Sequence, residues 1–120
     1  MSVEHKAQAL AIHCIDFRFQ DQLEEDLKRK GLIGQFDRIA WPGASKDFTV
    51  VGNAAKLSIL LHNPNQILIY EHEDCGAYGS NNSLSSQRKN AYKLKDFLIK
   101  ENPLLKVYTL FVTFEGIKEI

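Results

Sequence analysis

The run Ala9–Ile15 (ALAIHCI) is apolar almost throughout, and this constrains the fold more than any other stretch. A strand with one wet face alternates apolar and polar residues. A strand buried on both faces does not, and double burial belongs to parallel sheets with helices on either side. Related runs recur at Phe36–Trp41, stopped by Pro42-Gly43, at Gln66–Tyr70 (QILIY), and at the β-branched and aromatic Lys106–Thr113.

The segments between them carry helical spacing. In Gln20–Lys30 the stripe is Phe19, Leu23 and Leu27; acids crowd the first half, and Lys28-Arg29-Lys30 precede Gly31. That charge order suits the helix dipole, and Gly31 suits a left-handed C-terminal cap. Thr49–Leu61 shows a stripe through Val50, Ala54, Leu57 and Leu61 and closes at Asn63-Pro64. Ser83–Glu101, with Ala91, Leu94 and Leu98 as its expected buried stripe, ends at Asn102-Pro103. The order βαβαβαβ predicts right-handed crossovers in a single domain, residues 1–120. The expected architecture is three-layer α/β/α, with a mainly parallel four-stranded sheet in the order 2-1-3-4.

In such sheets, sites form beyond the carboxyl ends of the strands, where strand order reverses. Cys14 lies at that end of the first strand, and His72 and Cys75 follow the third. Two thiolates and an imidazole form a soft, zinc-preferring donor set with one coordination position left over. Asp16 and Arg18 fall on the Cys14 side if the extended conformation continues to Arg18. Other readings of the same residues are a closed structural zinc site, a Cys14–Cys75 disulfide, a dithiol redox pair and a plain Asp16–Arg18 core ion pair. No Cys-x-x-Cys spacing supports redox chemistry, and a buried ion pair is a poor source of stability. His13 points away from Cys14 and reads as a packed residue; His62 reads as a surface residue, Glu73 and Asp74 as solvated or supporting acids. Trp41, Tyr70 and Phe17 read as core or subunit-contact residues.

Lys+Arg and Asp+Glu both number 15, so no basic footprint suggests nucleic acid. No apolar stretch approaches the roughly 18 residues of a membrane span, and the N-terminal MSVEHK lacks the apolar core of a signal peptide. A cytoplasmic protein with reduced thiols is expected.

Cys14-x-Asp16-x-Arg18 followed by His72-x-x-Cys75-Gly76, both motifs after expected strands, resembles the zinc signature of the β-class carbonic anhydrases. The resemblance implies one Zn2+ per chain held by Cys14, His72 and Cys75, and carbon dioxide and bicarbonate as substrates. Zinc-bound hydroxide would attack the carbon. It assigns Asp16 to orient that hydroxide or to swing onto the metal as an inhibitory fourth ligand, and Arg18 to hold Asp16. Backbone at Gly43, Ala44 and Gly76 would line the pocket, and a homodimer or higher oligomer is implied. The chain departs from the family where Arg-Asn-Ala-Gly is usual: Ala40-Trp41-Pro42-Gly43-Ala44 keeps only the glycine turn. The N-terminal extension is almost absent, and elements beyond the fourth strand are expected to be missing. The altered loop leaves one alternative to carbon dioxide hydration, hydrolysis of a related heterocumulene, carbon disulfide or carbonyl sulfide. The shortened architecture leaves another, a non-catalytic, zinc-stabilised binding domain.

Overall fold

The computed structural model describes residues 5–120. Along the chain it forms β1 (Ala9–His13), α1 (Gln20–Arg29), β2 (Phe36–Ala40), α2 (Phe48–His62), β3 (Gln66–His72), α3 (Leu84–Glu101), β4 (Lys106–Thr113) and β5 (Gly116–Glu119). The sheet order is β2-β1-β3-β4-β5, parallel except for the antiparallel β4–β5 pair. The expected order 2-1-3-4 therefore holds, with a fifth strand added at the edge. That strand corrects the expectation that nothing follows the fourth. Its sequence, GIKE, is short and half polar, as an exposed edge strand is, so no apolar run announces it.

The helices divide as the apolar run in β1 requires. Leu10, Ile12, Ile67 and Ile69 pack under α2 and α3, against Val51, Ala55, Ala91, Leu94 and Leu98. On the other face Ala9, Ala11, Leu68 and Tyr70 meet Phe19, Leu23 and Leu27 of the α1 region. The stripes expected in α1 and α3 are the buried ones.

The stripe expected in α2 is not. Val51, Gly52, Ala55 and Ser58 are buried, whereas Val50, Leu57 and Leu61 are 40%, 57% and 63% exposed. The helix carries two apolar stripes one residue, about 100°, apart. The stripe of smaller residues wins because it lets α2 approach α3 closely. A Cβ at Gly52 would sit 3.3 Å from the Phe97 ring.

Strand pairing sets up the site. β1 pairs with β3 only as far as Ile12 opposite Ile69, while β3 continues beside β4 to His72 opposite Val112. Beyond Ile12 and Ile69 the two central strands part, and the gap opens where their carboxyl ends carry Cys14, His72 and Cys75.

Candidate metal centre

Cys14, one residue past β1, is buried, as are His72 at the end of β3 and Cys75 in the loop beyond. Their ligating atoms all lie within 4.8 Å of one another, the sole such cluster among the described residues. The sulfurs are 3.9 Å apart, against about 3.8 Å for two thiolates at about 2.3 Å from one tetrahedral ion. Both cysteines are free, which removes the disulfide reading from this structure. His72 Nδ1 donates to the Glu73 carbonyl at 2.7 Å. A carbonyl can only accept, so the proton sits on Nδ1 and Nε2 is left as a lone-pair donor. Nε2 is buried with no hydrogen-bond partner. A buried imidazole nitrogen without a partner is costly, and a soft cation between the two sulfurs would satisfy it. The residues present fit zinc.

The protons of the metal-free cluster are unevenly shared. The hydrogen bond from Cys75 holds the Cys14 thiol well below the usual range, aided by His72 and the Gly43 N–H. The same bond, with burial, pushes Cys75 upward. Burial disfavours protonated His72, but the Cys14 sulfur and the Glu73 carbonyl outweigh it, so its pKa is raised.

The chain does not stay extended to Arg18. It turns at Phe17–Phe19 into a 3-10 helix, whose N-terminus Asp16 caps by accepting from the Arg18 N–H at 3.0 Å. A short polar side chain at the end of a strand favours this local bond. The turn brings Arg18 back over Asp16: Nε donates to Oδ1 at 3.0 Å and Nη2 to Oδ2 at 2.7 Å. That two-point grip holds the Asp16 carboxyl down to about 2. Asp16 Oδ2 lies 3.8 Å from His72 Nε2, so the carboxylate stands at the edge of the ligand cluster.

The glycine turn after β2 serves the first thiolate. Gly43, at φ 80°, donates its N–H to Cys14 Sγ at 3.3 Å. A Cβ there would lie 3.0 Å from that of Lys46 and 3.2 Å from that of Ala77, so both conformation and space require glycine. Ala44 is buried beside it and Gly76 is exposed at the start of the next turn. Trp41 does not face the ligands through its polar atom: its Nε1 donates to Asp47 Oδ2, the cap of α2.

Several supporting residues carry no motif and were not singled out in the sequence. Gln87 of α3 is buried and grips the His72 backbone at both ends. Its Oε1 accepts from His72 N at 3.2 Å, and its Nε2 donates to His72 O at 2.8 Å. Asn82 accepts from Cys75 N at 2.9 Å. Glu71, fully buried, accepts from Ser45 Oγ at 2.8 Å, and burial pushes its carboxyl up to about 8. Glu73, unlike these, was read from the sequence as a solvated or supporting acid; it accepts the Phe114 N–H at 2.7 Å, tying the ligand loop to the β4–β5 turn. Of the other histidines, His13 is buried and donates from Nδ1 to the Cys14 carbonyl, and His62 bonds Asp37 at 2.7 Å. Neither joins the cluster. Tyr70 is core, while Phe17 is 85% exposed.

A family model described as "Putative carbonic anhydrase" matches residues 4–119. The chain belongs to that carbonic anhydrase family. It is 32% identical over 134 residues to an uncharacterized protein of Rickettsia conorii, covering 96% of this chain and 72% of that one. The carbonic anhydrase of Streptococcus mutans superposes with a TM-score of 0.66 at 14% identity, covering 100% of this chain and 85% of the other. A carbon disulfide hydrolase superposes with a TM-score of 0.59 at 11% identity, covering 97% and 79%. The fold is that of the β-carbonic anhydrases, and Cys14, His72 and Cys75 form a group able to hold a metal ion.

Proposed function

We propose that the chain is a zinc-dependent carbonic anhydrase that interconverts carbon dioxide and bicarbonate, with Cys14, His72 and Cys75 as the metal ligands. One observation carries this reading. Three soft donors converge where the central strands part, with a partnerless imidazole nitrogen and a gripped carboxylate beside them. Zinc bound there supplies a Lewis acid that brings the pKa of a water towards neutrality. The chain's own residues do the rest. Asp16, ionised at any working pH, accepts a hydrogen bond from the attacking water and fixes where its lone pair points. Arg18 fixes the carboxylate plane through two parallel bonds, which a lysine could not do. Gly43 spends its N–H on Cys14 and steadies the thiolate, and Ala44 and Gly76 line the approach.

Stopped-flow hydration with zinc-loaded protein is expected to exceed the background rate between about pH 7 and 9. One zinc per chain with no such rate would sink the assignment. A second reading, hydrolysis of carbon disulfide or carbonyl sulfide, draws on the altered Trp41-Pro42 turn and the likeness to the hydrolase fold. Sulfide release measured beside bicarbonate formation separates the two. The chain is also proposed to act as a homodimer or higher oligomer, since the outer stripe of α2, Val50, Leu57, Leu60 and Leu61, lies exposed. Among the described residues no helix is long and apolar enough to cross a membrane, in keeping with a proposed cytoplasmic location.

A further inference from the structure

The Asp16–Arg18 pair accounts for only part of what holds Arg18. Its Nη1 donates to Asp74 Oδ2 at 3.0 Å and its Nη2 to the Asp74 carbonyl at 2.8 Å. With the bonds to Asp16, both edges of the guanidinium are occupied, and four of its five N–H groups have acceptors. Its carbon lies 5.5 Å from the centroids of both Phe19 and Phe114, whose rings are 4.7 Å apart. Phe114 is itself fixed by the bond from its N–H to Glu73.

Asp74 pays for this placement in backbone strain. It stands at φ 53°, in the left-handed region, between two of the metal ligands. Asn and Asp are the residues other than glycine that tolerate this conformation best. The conformation aims one residue's carbonyl and carboxylate at the same guanidinium.

We propose that Asp74 is a positioning residue: by gripping Arg18 from the ligand loop, it holds Asp16 beside the metal position and against moving onto the metal. The proposal deepens the carbonic anhydrase reading and rests on it for its consequence, but not for its geometry. His72 and Cys75 flank Asp74, and Asp16 and Arg18 follow Cys14, so the clamp ties the two halves of the site together. Asp74 is 70% exposed and Arg18 33%, so its ion pair is worth no more than an exposed one, about a two- to fivefold shift in an equilibrium.

Two measurements on Asp74→Asn and Asp74→Ala test it, one of which needs neither metal nor activity. In the metal-free protein, NMR exchange of the Arg18 Nε–H is expected to quicken about two- to fivefold in Asp74→Asn. Asn keeps the left-handed backbone and the carbonyl contact, so Asp74→Ala, which favours neither, should quicken it further. In the cobalt-substituted protein, azide binding followed by the visible absorption band should weaken by a similar factor, because Asp16 then competes for the metal. Restoring tight azide binding by adding Asp16→Asn to Asp74→Asn would support the competition. Unchanged Arg18 exchange in both variants overturns the clamp. Azide affinity that stays level or rises overturns its control of Asp16. Loss of cobalt binding in Asp74→Asn overturns the proposal by making Asp74 a builder of the ligand loop. Failure of carbon dioxide hydration in the wild type would instead strike the functional reading and leave both of these measurements intact.

Discussion

Replacing Gln87 by Leu should destabilise the site end of the molecule without altering a metal ligand. The two central strands part after Ile12 and Ile69, so the His72 N–H and carbonyl face a place where a neighbouring strand would continue. The Gln87 carboxamide fills that place with an acceptor at 3.2 Å and a donor at 2.8 Å, as a peptide group would. Leu has a similar bulk and fills the space, so the loss is chiefly polar. It orphans one buried N–H and one buried carbonyl, each costing about 1–3 kcal/mol. Asn82, which also accepts from Gln87 Nε2 at 3.2 Å, keeps its bond to Cys75. We expect a loss of about 2–4 kcal/mol, a large share of the roughly 5–15 kcal/mol that holds a domain together. Urea unfolding of the metal-free protein measures it directly, and the thermal midpoint should fall by roughly 10–15 °C. Zinc affinity should drop as well, because the His72 backbone orients its ring. A variant within about 0.5 kcal/mol of wild type, with unchanged zinc affinity, would refute the view that Gln87 stands in for a strand.

Cys75→Ser should weaken zinc binding by more than the ~10–100-fold typical of losing an outer hydrogen-bond partner, as competition with a chelator would report. Zinc binding should strengthen as pH rises through neutrality, because the raised Cys75 thiol and His72 must lose protons to become ligands; calorimetry in buffers of different ionisation enthalpy counts the protons released. In metal-free protein the raised Glu71 carboxyl stays protonated when folded but ionises when unfolded. Its stabilising contribution is therefore present below the ordinary carboxyl range and is lost as pH rises towards about 8. Glu71→Gln should flatten that part of the stability–pH curve. Asp16 works in the opposite sense: its stabilising contribution is present above the ordinary carboxylate range and is lost as pH falls towards about 2. Leu57→Lys, on the outer stripe of α2, should leave unfolding stability within about 0.5 kcal/mol, and sedimentation would show a lighter species if that stripe joins two copies.

The parts of this molecule legible in its sequence are those fixed by local pattern. The unbroken apolar run in β1 announced a parallel sheet, and the strand-end positions of Cys14, His72 and Cys75 placed the cluster. The parts that were hidden depend on distance and choice. Two apolar stripes in α2 are equivalent to a periodicity count, and only the close approach at Gly52 and Phe97 decides between them. The 3-10 turn at Phe17 broke the alternation that would have carried Asp16 and Arg18 on one strand face, yet the same turn brought them together by another route. Gln87 looked like any polar residue of a helix, because its role arises from a strand gap that exists only in three dimensions. Asp74 carried one faint signal, an acidic residue wedged between two ligands. The β4–β5 turn that supplies Phe114 carried none.

X-ray absorption at the zinc edge of the loaded protein tests the central claim most directly. Two sulfur ligands near about 2.3 Å with lighter donors near about 2.0 Å, collapsing to one sulfur in Cys14→Ser, is the result expected. A shell without sulfur, or one unchanged in that variant, would contradict the assignment of Cys14, His72 and Cys75 as the metal centre.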